Sequence, residues 1–235
     1  MSTKRPFLVN DEFYHIVIRG IEDTLVFKDE SDYYRGIFSI YEFNNAKPVV
    51  IRERRRERAK EKQVNRGQAS DNRNLLVEVL AFCFMSNHIH LLLKQLKNNG
   101  ISKFMLKVGT GFASYFNKKY GRKGHLFQSR FGAVHIKTEE QFKNVFVYIH
   151  TNPISLVAPI WKERGIEDSK RAIELLENYR WSSYLDYIGK KNFPSVTNRE
   201  LLVKILGGEK NCREFVENWI LYKAEIRSLG SAVLE

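Results

Sequence analysis

A chain of 235 residues, 43% hydrophobic with 16 Phe and 11 Tyr, is long enough to bury a sizeable core in one large domain or in one domain with an appendage. The formal net charge of +12 favours a polyanionic partner, of which nucleic acid is the commonest. No apolar run approaches the roughly 20 residues of a membrane span. The opening MSTKRPFLVN has no export-signal pattern, and the distant Cys83 and Cys212 suggest neither a disulfide framework nor a zinc site; a cytoplasmic protein with no membrane partner is expected.

In chain order, Phe13 to Gly20 (FYHIVIRG) reads as a β-branched strand stopped by glycine. Ser31 to Asn45 reads as a helix, with Tyr34, Ile37, Phe38 and Tyr41 at i, i+3, i+4, i+7 spacing. Arg52 to Arg66 is dominated by charge: a solvated helix extension first, a mobile loop or phosphate-contacting arm second. Leu75 to Met85 is a buried strand, Ser86-Asn87 a tight polar break, and His88 to Lys94 a second strand that should pair with the first as an antiparallel hairpin. A helix over Ser102 to Tyr120 ends at Gly121, a loop covers Gly124 to Gly132, and Ala133 to Lys137 makes a short strand. Thr138 caps a helix that runs to about Thr151, where Pro153 is expected to end it. The order β-α-β-β-α-β-α predicts an α+β fold, with a ferredoxin-like split βαβ antiparallel sheet and helices on one face. A catalytic domain over 1–158, with a charged insertion or loop at 46–74, would then be followed by a helical C-terminal extension at 159–235.

His88-Ile89-His90 is the most informative triplet. On a strand, residues two apart share a face with Cα atoms roughly 6.5 Å apart, so two imidazoles can converge on one ion while Ile89 points into the core. The same spacing also arises from two surface histidines, or from one hydrogen-bonded in the core. A third ligand should sit nearby, and an amide or carboxylate oxygen would favour Mg²⁺ or Mn²⁺ over structural zinc.

Tyr148 and Asn152 stand at i and i+4, on one helix face. If that face looks at the histidine strand, Asn152 supplies a metal oxygen while Tyr148 meets the substrate. His150 lies about 200° round the helix from Tyr148 and is assigned a supporting or structural place. Because Asn152 precedes Pro153, it is also open to lying outside the helix. A phenol, with its pKa near 10, needs activation to act as a nucleophile, and a phosphotyrosine would keep the energy of the broken bond for resealing. The plain alternative for Tyr148 is a core aromatic. Between these elements, Tyr115 to Tyr120 and Phe127 to Phe131 interleave bases with aromatics, which suits unpaired nucleobases and backbone phosphates.

Four stretches together resemble the HUH single-tyrosine transposases, and within them the REP-associated (IS200-like) type. These are Tyr14–Gly20, Met85–Leu93, Asn117–Phe131 and Tyr148–Pro153, with Tyr179–Tyr184 as a weaker fifth. The resemblance implies His88, His90 and Asn152 as ligands of Mg²⁺ or Mn²⁺, and Tyr148 as the nucleophile that forms a 5′-phosphotyrosine and frees a 3′-hydroxyl. It further implies single-stranded DNA near a hairpin or REP-like structure as partner, and a possible homodimer. Lys118, Lys119, Arg122, Lys123, Gln128 and Arg130 are the candidate DNA contacts, and His15 joins His150 as a supporting residue. The rival readings are a hairpin-binding protein of the same fold that does not cleave, and a metal-dependent phosphodiesterase that uses water.

Overall fold

The computed structural model describes residues 5–64, 73–128 and 130–232. Four strands, β1 (Phe13–Arg19), β2 (Val77–Phe84), β3 (His88–Gln95) and β4 (Gly132–Ile136), form one antiparallel sheet in the order β2-β3-β1-β4. The first strand thus lies between the third and fourth, and β3 separates the parallel pair β1 and β2. This is the split βαβ arrangement expected from the element order.

Helix α1 (Glu30–Glu42) connects β1 to β2 and α3 (Gly100–Tyr120) connects β3 to β4. Both lie on one face of the sheet, where Ile16, Phe82, Phe84, Ile89 and Leu91 meet Ile37, Ile40, Phe104, Val108 and Phe112 in one buried cluster. Asp29 starts α1 by accepting a hydrogen bond from the Asp32 amide, the usual N-cap device. Gly121 ends α3 at φ 63°, a left-handed conformation that suits glycine. Between α1 and β2 the charged run forms α2 (Ile51–Val64), the helical form of the two readings; Asn65 and Arg66, and the insertion from 65 to 72, lie outside the described residues.

The opposite face is covered by α4 (Glu139–Thr151) and the C-terminal helices α5 (Trp161–Arg164), α6 (Ser169–Asn178), α7 (Tyr184–Tyr187), α8 (Glu200–Leu206) and α9 (Glu209–Ala232). Phe146, Ile149, Leu176, Tyr187, Leu202 and Val216 form one cluster with Leu80, Cys83 and Leu92 of the sheet. The C-terminal segment therefore completes the core instead of folding apart. It also covers the free edge of β2, because the Phe84 amide donates to the Trp181 carbonyl and the Ser183 amide to the Phe82 carbonyl. Backbone groups left open on an edge strand invite pairing with another chain.

Thr138 and Gln141 cap the start of α4 reciprocally. The α-helix ends at Thr151 as expected, but the helical path goes on past it. Asn152 keeps helical angles (φ −52°, ψ −37°), and the chain tightens into a 3₁₀ turn over Asn152–Leu156. Proline is tolerated there because the first residues of a helical turn need no amide donor.

Candidate active site

Strand alternation separates the side chains of the His88–His90 triplet. Ile89 enters the cluster beneath α1 and α3, while His88 and His90 face α4. The β1–β3 register sets Val17 opposite His90 and Leu92 opposite His15, so His15 lies diagonally across from His90 on the same face. His15 Nε2 and His90 Nδ1 are 3.0 Å apart and share a hydrogen bond, with the two rings nearly parallel. His88 Nδ1 donates to Asn87 Oδ1 at 2.6 Å, and Asn87 Nδ2 reaches Asp23 Oδ1 at 3.3 Å. Asp23 also pairs with Arg19 at 2.9 Å. One nitrogen of each histidine is thus tied back into the protein.

Burial holds all three imidazoles below their ordinary pKa. It lowers His15 to about 4 and, with Arg19 and Lys162 adding repulsion, His88 also to about 4. His90 lies well below 6.5 through burial first, then through the neighbouring His15 and His88. At neutral pH the three rings are uncharged, the form that offers a lone pair.

Tyr148 projects from α4 toward this group. Its ring centroid is 5.4 Å from that of His90 and 5.6 Å from that of His15, edge-on to both, and 39% of the residue is exposed to solvent. One turn on, Asn152 Nδ2 donates to the Tyr148 carbonyl at 2.6 Å, which fixes the amide and leaves Oδ1 as its acceptor. That oxygen accepts from Lys162 Nζ at 3.2 Å, and the same ammonium lies 3.5 Å from the Tyr148 hydroxyl. His150 is not part of this group. It is fully buried on the far side of α4, hydrogen-bonded to Ser183 Oγ at 2.8 Å, with burial lowering its pKa to about 3.

Among the described residues no three His, Cys, Asp or Glu side chains converge as a metal-binding cluster. An ion here would depend on a mixed set: the free nitrogens of His88 and His90 with the Asn152 amide oxygen. That set fits a divalent cation in its chemistry, since it offers two neutral imidazoles and a carbonyl oxygen beside an exposed phenol. His15 Nε2 is already engaged with His90 Nδ1.

The basic-aromatic segment lies at the same end of the sheet. The Gln128 amide donates to the Arg19 carbonyl, and Phe127 forms a bridge with Gly20. Its six candidate contacts differ in availability. Lys119 is held by Asp29 and Asp32, both at 2.7 Å. Arg122 bonds to Asn117 Oδ1 and the His125 carbonyl. Lys118, Lys123, Gln128 and Arg130 are exposed and their side chains make no hydrogen bond or ion pair among the described residues.

Sequence reasoning missed Lys162 and the Asn87–Asp23 link. Asn87 could have been suspected as the polar neighbour of His88 in a tight turn. Nothing local marks Lys162, which comes back to the site only through the packing of α5.

Residues 45–152 match the model of a family described as "Transposase IS200 like". No curated protein matches the chain. Among solved structures, a REP-associated tyrosine transposase bound to a REP hairpin is similar at 14% identity, covering 84% of this chain and 92% of its own, with a TM-score of 0.42. A bacterial tRNA(His) guanylyltransferase (Thg1)-like protein in complex with GTP is similar at 17% identity over 69% of this chain and 78% of its own, with a TM-score of 0.32.

Proposed function

We propose, for a chain whose residues 45–152 match the IS200-like transposase family, that it cuts and rejoins single-stranded DNA with Tyr148 as nucleophile. One observation carries the reading: an exposed phenol stands edge-on to two neutral, buried imidazoles, with the Asn152 amide one helical turn away and its oxygen bonded by Lys162. A core aromatic would be covered, and an isolated surface tyrosine would have no such neighbours.

His88, His90 and Asn152 would hold Mg²⁺ or Mn²⁺. Such an ion, when bound, draws charge from a phosphate oxygen and so eases attack on phosphorus. His15 would keep His90 in one tautomer: with His90 Nδ1 donating to His15 Nε2, the lone pair on His90 Nε2 is left free. Asn87 does the same for His88 by accepting from its Nδ1. Tyr148 Oη attacks phosphorus, its proton passes to solvent, and the bond to the 3′ oxygen breaks. That oxygen takes up a proton as the free 3′-hydroxyl, and the strand is left as a 5′-phosphotyrosine. Reversal by another 3′-hydroxyl reseals the strand with no added energy source.

Lys118, Lys123, Gln128 and Arg130, with Arg122 beside them, supply contacts to the backbone of a strand leading into a hairpin or REP-like structure. Cations beside stacking aromatics favour unpaired DNA. Lys119 contributes to the local positive field while holding α3 to α1 through Asp29 and Asp32. Because Tyr148 lies against histidines of its own chain, the geometry supports a site complete in one chain, and a homodimer is not needed to assemble it.

The test is incubation of wild type and Tyr148→Phe with labelled single-stranded hairpin DNA and Mn²⁺. A denaturant-resistant protein–DNA adduct with wild type alone supports the proposal. Cleavage that survives in Tyr148→Phe points to a phosphodiesterase using water. Binding with no cleavage by either protein points to a recognition module.

A further inference from the structure

Lys162 belongs to the four-residue helix α5, ten residues beyond Asn152. Its neighbour Trp161 is 2% exposed and packs edge-on against Trp219 of α9 at 5.3 Å, so the backbone of α5 is anchored in the core. From that anchor the Lys162 side chain reaches back to Tyr148 and to Asn152 at the end of α4. Its Nζ lies 4.6 Å from the Tyr148 ring centroid, 3.5 Å from the hydroxyl and 3.2 Å from Asn152 Oδ1. Among the described residues, Arg19 and Lys162 are the cations that act on the histidine pair. Arg19 is partly neutralised by Asp23, whereas Lys162 has no carboxylate partner among the described residues.

We infer that Lys162 is a further catalytic residue, whose ammonium meets a non-bridging oxygen of the scissile phosphate as Tyr148 attacks. The inference rests on the proposed strand-transfer reaction and adds a specific group to it. Once Oη has bonded to phosphorus, the other phosphate oxygens lie on the order of 2.5 Å from it, and an N⁺–H···O⁻ hydrogen bond spans about 2.8 Å. An ammonium already 3.5 Å from the hydroxyl therefore has those oxygens within reach by a small side-chain rotation. The equatorial oxygens carry the charge of the transition state, and a fixed cation there acts where the charge is concentrated. Lys162 exchanges no proton: Oη–P forms, P–O3′ breaks, and the ammonium keeps its three hydrogens throughout. In moving to the phosphate it releases Asn152 Oδ1, which is then free to face the histidine pair. A purely structural role is a poor account of this side chain, because a cation resting on an exposed ring adds little to stability.

The experiment compares wild type, Lys162→Met and Lys162→Arg on single-stranded hairpin DNA with Mn²⁺. It reads the single-turnover rate of adduct formation, the Kd for the same DNA and the melting temperature. Lys162→Met is expected to slow adduct formation by about 10²–10³-fold, with Kd within about threefold and melting unchanged, since the side chain removes only one of several phosphate contacts. Lys162→Arg is expected to recover at least about tenfold of that rate, because it restores the cation. A Met variant within threefold of the wild-type rate overturns the inference. So does a loss of rate matched by an equal loss of binding, or by a fall in melting temperature, or an Arg variant no better than Met. If wild type itself forms no adduct, the strand-transfer reading fails first and this assignment falls with it.

Discussion

The two faces of the sheet are built from the same strands one residue apart, yet they are filled by opposite rules. Beneath α1 and α3, Ile89 and its neighbours are buried in a cluster of carbon, with Phe104, Phe112 and Phe116 almost wholly covered. On the other face His88 and His90 sit beside Leu92, and His15 adds a third ring under α4. Burying an imidazole costs free energy that burying a leucine does not, and here the cost appears as three depressed pKa values. The first face therefore holds the fold, and the second gives up some stability to keep neutral nitrogens next to an exposed phenol. The C-terminal helices make that exchange tolerable by enclosing the remainder of the second face in apolar material.

The comparison breaks most sharply if the histidines prove structural. His88→Ala or His90→Ala should abolish adduct formation while leaving the DNA Kd within about tenfold, because most affinity comes from phosphate contacts. Loss of binding in parallel would put the two faces in the same role. On the first face, Phe104→Ala should lower unfolding free energy by about 3–5 kcal/mol, measured by chemical denaturation, through the cavity it leaves. His90→Ala should cost far less, since it also removes a desolvated polar ring.

A weaker effect distinguishes the faces by pH. In the unfolded chain the imidazoles take up protons below about 6.5, whereas His15 and His88 resist protonation in the fold until about 4 and His150 until about 3. The metal-free protein should keep its full stability above pH 6.5 and lose it as pH falls toward 4. Each resisting histidine contributes on the order of 1 kcal/mol per pH unit in that window. Replacing His15 with a neutral isostere such as Gln should flatten the slope, and an unchanged slope would mean that the ring titrates normally in the fold.

The smallest effects separate the basic residues. Neutralising Lys118, Lys123 or Arg130 should reduce the salt slope of DNA binding by about 1 each with little change in melting. Lys119→Met should instead lower stability by about 2 kcal/mol, because it leaves the buried Asp32 without its cation. A salt slope altered equally by Lys118 and Lys119 would show that the ion pair opens to admit phosphate.

Much of this was legible in the chain because the signals are local. Alternation around Ile89, the polar Ser86-Asn87 break, Gly121 and the Thr138 cap each act within a few residues, and the element order they produce has few ways to close into a sheet. What escaped depends on packing. Proline statistics put Asn152 just past the helix, where it lies as the C-cap of α4, but they do not foretell the 3₁₀ turn that continues from it. A row of lysines looks alike in sequence until Asp29 and Asp32 select one of them. Lys162 and the edge cover by Trp181 to Ser183 exist only once the C-terminal helices have docked.

The most direct measurement locates the covalent bond. Wild-type protein is reacted with single-stranded hairpin DNA and Mn²⁺, digested with protease and nuclease, and its peptides are sequenced by tandem mass spectrometry. The account predicts a nucleotide remnant joined through its 5′ phosphate to Tyr148. A remnant on any other residue, or DNA cleaved with Tyr148 left unmodified throughout the reaction, would contradict it.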